Sequence, residues 1–344
     1  LRAVSPGVCC IWLRLVRKEA AVVQSRIFCE LSLDFSMRPS GPLLVKSGDE
    51  DALDPTLPDM QFVRTHDPAS NRGTVFVPGS SLKGVVRSHA ERLARSQDPY
   101  AACDPLKSEK TVTRGLRSSC SMGRGSHGSG SRNRHKQSGG EAYASVCYAC
   151  RIFGSTAVAS RVLFSDLMPE KGFKPILGER KSVAIDRVTG AVSAGPFEME
   201  VVEDAIFRGN IGLRNFTIGQ FGLVSGVLLD ISDGLVPIGF GKSKGFGRVT
   251  LHFESLRLRY PVATDGQIWG VGNMAEESVL ESYGLQMLAG RDFLPTPYGK
   301  ESRRGLYMLS FVTDEEIRHV LDNAATKWPE EVGSQAWSGG RGDE

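Results

Sequence analysis

The sequence predicts an α+β fold, and two observations support this prediction. The chain has 344 residues, of which 40% are hydrophobic, so it can bury a sizeable core. Its alternating and helical hydrophobic patterns follow one another in the order strand, helix, strand, strand, helix, strand. This β-α-β-β-α-β order is typical of a ferredoxin-like fold, here with large insertions after the first helix and around the third strand.

Composition excludes several classes of protein. The 42 basic and 39 acidic residues give a net charge of +3, which is too small to identify a partner by itself. Seven cysteines in a chain of this length do not resemble a secreted disulfide scaffold. No apolar run approaches the roughly 20 residues of a membrane span, so we expect a cytoplasmic protein. Residues 1–25 form an uncertain N-terminal segment that the fold prediction does not include.

A long acidic loop follows the first predicted strand. Residues 26–35 alternate between apolar and polar side chains, which predicts the strand. Residues 39–68 are rich in Pro, Gly and acids, and a loop of this length is usually functional or disordered. A carboxylate in this loop could bind a metal ion or act as a general base, although most acidic loops are only solvated. The candidate carboxylates are Asp49, Asp51, Asp54 and Asp59.

The first helix begins within residues 75–87. A Pro-Gly pair ends the preceding strand, and Ser80 or Ser81 can cap the helix. Lys83 and Arg87 lie one turn apart near the positive end of this helix, where exposed amides and two cations suit a phosphate. The alternative is a capped amphipathic helix with a solvated basic face, which the local sequence alone favours.

Residues 97–150 form an insertion of different composition. No acid occurs between Glu109 and Glu141, whereas seven Lys and Arg residues are interspersed with Gly and Ser. Such a segment either contacts a polyanion or is a disordered linker.

The same insertion contains four cysteines that can complete a tetrahedral zinc site. They are Cys103, Cys120 and the C-x-x-C pair Cys147 and Cys150. A histidine, His127 or His135, could replace one of the first two, and reduced thiols without a metal are the alternative.

The hydrophobic pattern of the rest of the chain predicts the later strands and helices. Strands are predicted at residues 161–167, 196–202 and 250–260, with residues 205–217 also extended, and helices at residues 221–231, 276–288 and 313–325. The last of these helices opens with a capping box. Residues 261–344 form a C-terminal extension to which the sequence assigns no role.

A glycine-rich loop spans residues 239–248, directly before the predicted strand at 250–260. It is not a phosphate-binding P-loop, because the required spacing of glycines is missing and a strand follows. Interleaved Gly, Lys and Phe suit a sugar-phosphate backbone with bases stacked on an aromatic ring, either Phe240 or Phe246. The alternative is a flexible β-turn. The candidate contacts are Lys242, Ser243, Lys244, Phe246 and Arg248.

Three segments in this order resemble the RAMP superfamily of CRISPR-associated proteins: Val77–Gly84 with Arg87, Ala184–Thr189 and Gly239–Arg248. The resemblance covers residues 26–260 and is closest to the backbone subunits of type III effector complexes. It implies an RRM-like palm with a finger inserted at 97–150, where relatives often bind zinc. It also implies a thumb hairpin inserted at about 168–204, which Ile185–Thr189 would open.

The resemblance implies a guide-RNA-binding subunit in a prokaryotic cytoplasm. Its partners would be CRISPR guide RNA, complementary target RNA, copies of itself and other subunits of the complex. The residues implied in RNA binding are Ser80, Ser81, Lys83, Arg87, Asp186, Arg187, Lys242, Ser243, Lys244, Phe246 and Arg248.

The resemblance also implies cleavage of the target RNA by one aspartate in the loop after the first strand. The segment Asp59–Arg64 best matches the family pattern, so Asp59 is the first candidate, with Asp54, Asp49 and Asp51 as alternates. The chemistry would be attack of an RNA 2′-hydroxyl on the adjacent phosphate, assisted by Mg²⁺ or another divalent cation. The alternatives are a non-catalytic scaffold and a metal-independent guide-processing endoribonuclease that uses His66 or His89.

Overall fold

The structure is a computed structural model. It describes residues 26–47, 58–67, 72–107, 111–112, 115–121, 138–296 and 299–335. Residues 1–25, Asp49, Asp51, Asp54, His127, His135 and most of the predicted basic segment lie outside the described residues. Within the described ranges, no helix is both long and apolar enough to span a bilayer.

Helices and strands are interspersed along the described residues. The first half contains β1 (Glu30–Pro39), β2 (Arg64–Asp67), β3 (Arg72–Val75), α1 (Gly79–Gln97), α2 (Gly139–Ser145), α3 (Tyr148–Phe153), β4 (Val162–Phe164), β5 (Met168–Pro169), β6 (Ile176–Ile185) and β7 (Val192–Asp204). The second half contains β8 (Phe207–Arg214), α4 (Ile218–Ser232), β9 (Val249–Tyr260), β10 (Ile268–Trp269), α5 (Val271–Met274), α6 (Glu277–Ser282), β11 (Phe293–Leu294), β12 (Lys300–Arg304), β13 (Leu306–Phe311), α7 (Asp314–Ala325) and α8 (Trp328–Ser334). Short 3₁₀ turns occur at Lys242–Lys244 and Gln286–Leu288.

The central sheet is antiparallel and has the order β12-β13-β9-β1-β8-β4, with β5 also paired to β8. The predicted α+β class is therefore confirmed. Strands β1, β4, β8 and β9 follow the predicted β-α-β-β-α-β order with α1 and α4. The strand predicted at residues 196–202 lies within β7, and the extended segment predicted at residues 205–217 contains β8. Of these two strands, β8 belongs to the central sheet and β7 pairs only with β6.

One face of the sheet is covered by helices and the other is open. Leu31, Leu33, Phe35 and Met37 of β1 are buried in the same core cluster as the apolar residues of α1 and α4, whereas the intervening polar residues of β1 lie on the opposite face. Most of α4 is buried, because α7 and α8 pack against its outer side. This burial on all sides explains why α4 carries apolar residues around its circumference.

Strands β6 and β7 form a separate two-stranded hairpin between β5 and β8. Its base is joined to the body of the protein by isolated bridges from Leu43 to Val202 and from Met60 to Met199. Its far end is exposed and apolar: Val188 is 94% exposed, and Ile185 and Val192 are more than half exposed. The hairpin therefore presents an apolar tip to the surroundings.

The C-terminal extension is part of the same folded unit. Strand β13 pairs with β9 and extends the central sheet, and α7 begins with the predicted capping box between Thr313 and Glu316. The predicted helix at 276–288 is wrong in extent: α6 ends at Ser282 and a 3₁₀ turn follows. Gly284 separates the two with a φ of +66°, a conformation that ends a right-handed helix.

Two carboxylates from this extension are buried at the start of α4. Asp292 accepts a hydrogen bond from the backbone N–H of Ile218 (2.7 Å). Glu331 accepts one from the Thr217 hydroxyl (2.7 Å) and one from the Gly219 N–H (3.0 Å). The first N–H groups of a helix lack partners within the helix and favour negative charge, so these carboxylates fasten the extension to α4.

The buried position of this pair couples its protonation to folding. Burial, followed by repulsion from Asp292, raises the pKa of Glu331 to about 8, and Arg151 opposes this shift. Burial raises the pKa of Asp292 to about 6. The charges of this pair also act on Tyr148, Cys29 and Tyr260, which are other titratable groups near it. The folded chain therefore holds protons that the unfolded chain has already released, and stability falls as the pH rises through this range.

We predict that Glu331→Gln makes stability less dependent on pH. Through this group the wild type should lose up to about 1.4 kcal/mol of unfolding free energy per pH unit between about pH 5 and pH 8. The isosteric amide of the variant cannot release a proton, so the variant should not show this loss. Urea unfolding of both proteins across this range measures the effect. The control is Glu330→Gln, an exposed neighbour. Parallel pH profiles for wild type and Glu331→Gln would contradict the prediction.

Candidate functional site

The start of α1 is fixed by a contact that the sequence did not reveal. The prediction that Ser80 or Ser81 caps this helix is wrong: no side chain caps it, and its N-cap residue is Pro78. Instead the Gly79 N–H donates to Asp166 Oδ1 (2.8 Å). A Cβ on Gly79 would lie 2.5 Å from a backbone oxygen of the chain leaving β4, so glycine is required here.

Lys83 and Arg87 point towards the insertion. Lys83 Nζ donates to Ser160 Oγ (2.9 Å), and burial, followed by the charge of Arg87, lowers the Lys83 pKa. Arg87 donates to Glu91 (2.8 Å), to the Gly154 carbonyl (3.1 Å) and to Cys150 Sγ (3.5 Å). Of the four RNA contacts predicted in this motif, Ser80 is exposed and Ser81 half-buried, while Lys83 and Arg87 are committed to protein contacts.

The glycine-rich loop presents its charged residues to the surface. Lys242, Ser243 and Lys244 form the exposed 3₁₀ turn, with a left-handed glycine on each side of it. Arg248, at the end of the loop, is also exposed. Phe246 is only 8% exposed and packs in the main core, so its ring faces protein and not a base. The prediction of a stacking Phe246 is therefore wrong, and Phe240, which is 36% exposed, is the remaining candidate.

Lys242 has a basic neighbour on α1. Partial burial, followed by the charge of Arg92, lowers the Lys242 pKa. Two like charges held close together raise the free energy of the charged state, and a bound anion would relieve this repulsion. Arg92 was not among the predicted site residues, because nothing in the sequence places it beside a loop about 150 residues further along the chain.

The Ile185–Thr189 segment forms the tip of the β6–β7 hairpin. Asp186 accepts hydrogen bonds from the N–H groups of Thr189 (3.0 Å) and Val188 (2.7 Å), which lower its pKa. Asp186 therefore shapes the turn, as Asp often does. Arg187 beside it is exposed. The expectation that this segment opens the hairpin is wrong, since the hairpin begins at Ile176 and these residues form its turn.

Asp59 lies against the hairpin. Its Oδ2 accepts a hydrogen bond from the Glu198 N–H (2.9 Å), and the Glu198 carboxylate pairs with Lys181 (2.6 Å). The segment around Asp59 is held beside β7 by Glu200, which accepts from the Phe62 N–H (3.0 Å). Asp59 itself is exposed.

The glycine-rich loop reaches the hairpin at almost the same position. Lys244 Nζ lies 3.2 Å from Ser182 Oγ, and Ser182 follows the residue that pairs with Glu198. The acidic segment and the glycine-rich loop therefore contact the hairpin at neighbouring positions in the pairing of β6 with β7. Residues 59, 182 and 244 are far apart in the sequence, and the fold brings them together.

The four cysteines of the insertion form one cluster. Cys103 and Cys120 come from loops, while Cys147 is the N-cap of α3 and Cys150 lies within it. The four sulfur atoms lie within 4.8 Å of one another. Cys120 Sγ accepts from the Cys147 N–H (3.3 Å), and Cys147 Sγ accepts from the Cys150 N–H (3.4 Å).

The geometry of this cluster fits a metal such as zinc. Four thiolates around Zn²⁺ at about 2.3 Å would place their sulfurs about 3.8 Å apart, and the Cys103 and Cys150 sulfurs are 3.7 Å apart. Hydrogen bonds from neighbouring thiols, Cys103 first, lower the pKa of Cys120, and the same kind of contact raises that of Cys150. The four thiols therefore cannot all ionise together unless a cation lies between them.

Part of the predicted basic segment supports this cluster. Arg117 is buried and donates to the Ser145 carbonyl, so it braces the chain between Cys103 and α3. The other basic residues of that segment lie outside the described residues, and its predicted polyanion contact stays a prediction.

The sequence comparisons identify one family. The family model described as "RAMPs: RAMP superfamily" matches residues 42–250. This range includes α1, the cysteine cluster, the hairpin and the glycine-rich loop. No curated protein matches the chain.

We predict that the purified chain contains close to one equivalent of zinc, because a cluster of four thiols binds this ion tightly. Cys147→Ser and Cys150→Ser should each lose most of it. The control is Cys29→Ser, since Cys29 is buried outside the cluster and should leave the metal content unchanged. Elemental analysis measures all four proteins. Less than about half an equivalent in the wild type would contradict the assignment.

Proposed function

The chain belongs to the RAMP superfamily, and on this premise we propose that it is a guide-RNA-binding backbone subunit of a type III CRISPR effector complex. The observation that carries the proposal is the meeting of three distant segments near the middle of the β6–β7 hairpin. A carboxylate, a lysine-bearing glycine loop and a hairpin with an apolar tip converge there. These groups suit an RNA strand that is held by its phosphates and distorted at intervals. Target RNA, further copies of the chain and other subunits would complete the assembly.

The RNA backbone would be bound by the exposed charges near this junction. Lys242 and Lys244 lie on a turn whose flanking glycines leave the backbone open to a ligand. Arg92 beside Lys242 adds positive charge, and a phosphate between them would remove their mutual repulsion. Ser80, Arg187 and Arg248 are the other exposed candidates.

We predict that Lys242→Ala and Lys244→Ala each weaken RNA binding without changing sequence preference. Loss of one phosphate contact should reduce the slope of log K against log salt concentration by about one. Fluorescence anisotropy with labelled RNA over a salt series measures the slope. Lys327→Ala is the control, because Lys327 is exposed and lies in the C-terminal extension. An unchanged slope in both loop variants would remove this loop from the RNA site.

The same junction supports cleavage of bound target RNA. The 2′-oxygen of one nucleotide would form a bond to the adjacent phosphorus, and the bond to the 5′-oxygen of the next nucleotide would break. The products are a 2′,3′-cyclic phosphate and a 5′-hydroxyl, with one proton lost from the 2′-hydroxyl and one gained by the leaving oxygen. The hairpin would hold the reacting groups in line, which supplies much of the rate.

Asp59 is the proposed catalytic residue. One of its oxygens is held by the Glu198 N–H, which fixes the carboxylate beside the hairpin. A single exposed carboxylate fits Mg²⁺, which commonly binds through one or two carboxylates and substrate phosphates. When bound, the ion would neutralise charge that develops on the phosphate. Asp49, Asp51 and Asp54 remain alternates outside the described residues.

We predict that Asp59→Ala abolishes target cleavage and leaves guide binding intact. The chain is loaded with guide RNA and mixed with labelled target or labelled precursor, with and without Mg²⁺. A target with 2′-deoxyribose at the scissile position should also resist cleavage, because the nucleophile is missing. The control is Asp322→Ala, an exposed aspartate on α7.

The other outcomes of this experiment identify the alternatives. Undiminished cleavage by Asp59→Ala would move the chemistry to another acid. No product with any variant would indicate a non-catalytic scaffold. Precursor cleavage that survives EDTA would indicate a processing enzyme that uses a histidine. Of the two candidate histidines, His89 already contacts a carboxylate in the structure, since its Nε2 lies 2.7 Å from Asp230 Oδ2 between α1 and α4.

A further inference from the structure

One stripe of charged residues on α1 faces the cysteine cluster. Lys83, Arg87, Glu91 and Arg95 follow at four-residue spacing, so they lie along one side of the helix. We call them the α1 stripe. Arg95 donates to the Cys103 carbonyl (2.8 Å), and Arg87 donates to Cys150 Sγ (3.5 Å). The stripe therefore touches two of the four cysteine residues.

We propose that Arg87 is a positioning residue of the metal centre and not an RNA contact, and that through Arg87 the centre sets the position of the start of α1. The first part stands on the contacts of Arg87 alone. The second part, as far as it concerns RNA, rests on the proposed function.

Charge balance supports the first part. Four thiolates and one Zn²⁺ leave a net charge of −2, which needs compensation in a partly buried site. The Arg87 guanidinium is half-buried, and it donates to the sulfur through Nη2 while Glu91 holds its Nε. Groups that hydrogen-bond to a ligand atom fix its orientation and tune its affinity for the metal.

Geometry supports the second part. Gly154 ends α3 with its N–H bonded to the Cys150 carbonyl (3.0 Å), and its own carbonyl accepts from Arg87 (3.1 Å). The following turn carries Ser160, which accepts from Lys83. Two residues of α1, one turn apart, are thus tied to the turn that leaves the metal-binding helix. A change at the sulfurs reaches Lys83 and the start of α1 through these contacts.

The two possible roles of Arg87 predict different results. A phosphate contact would contribute to the salt dependence of RNA binding and leave the metal unaffected. A positioning residue would affect the metal first, and any loss of RNA affinity would be the same at every salt concentration. Arg87→Lys separates them, because lysine keeps the charge but cannot bind Glu91, Gly154 and Cys150 together.

The test uses the full chain with its metal. Zinc affinity is measured by competition with a chromophoric chelator, and the environment of the sulfurs by the thiolate-to-metal absorption band after exchange of Zn²⁺ for Co²⁺. For Arg87→Lys we expect a loss of zinc affinity of about 10- to 100-fold and a shifted absorption band. Arg303→Lys, on the exposed edge strand β12, is the matched control and should behave as wild type.

The RNA measurement completes the test. We expect metal-stripped wild type and Arg87→Lys to bind RNA more weakly, with the wild-type salt slope. Wild-type zinc affinity together with an unshifted absorption band in Arg87→Lys would overturn the proposal, because a positioning residue cannot be replaced without disturbing the metal site. If Arg87→Lys does not fold, Glu91→Gln, which frees the guanidinium, should weaken zinc binding, and no change would likewise overturn it. Failure of the wild type to bind RNA would refute only the proposed function, because the metal measurements do not involve RNA.

Discussion

Helix α1 can lie in its place only because residue 79 has no side chain. A Cβ there would collide with backbone oxygens of Phe164 and Ser165, and the Gly79 N–H is bound by the carboxylate of Asp166. This contact sets the helix against the chain that leaves β4. Leu82, Val86 and Ala90 then face the core, and the α1 stripe faces the insertion. The position of the cysteine cluster relative to the start of the helix depends on this one close approach.

The insertion and the C-terminal extension stabilise each other. Tyr143 of α2 accepts a hydrogen bond from Gln220 of α4 (2.6 Å), and its ring packs against Tyr283 of the extension. Arg151 of α3 donates to Gln335 near the end of the described chain (2.6 Å). The family match ends at residue 250, yet these contacts show that the folded unit does not. The buried carboxylates of Asp292 and Glu331, which bind the start of α4, belong to the same connection.

The sequence predicts elements better than contacts. Periodicity was sufficient for β1, α1, α4, β9 and α7, and the spacing of the cysteines was sufficient for the cluster. The sequence could not show that Arg87 turns towards a sulfur, because a half-buried cation and a solvated one look alike in sequence. Phe246 was misjudged for a similar reason, since a ring in a glycine-rich loop gives no sign of whether it enters the core. Asp166 was missed because its partner lies 87 residues away.

The basic residues of α1 lie on two sides of the helix. Arg87 and Arg95 face the cysteine cluster, an anion that is part of the protein once a metal is bound. Arg92 follows Arg87 by five residues, which at about 100° per residue places it about 140° around the helix, beside Lys242. There its charge lowers the pKa of Lys242, so two cations interact on that side of the helix. One side of the helix thus donates to the cysteine cluster, and the other carries cations whose repulsion an external anion would relieve.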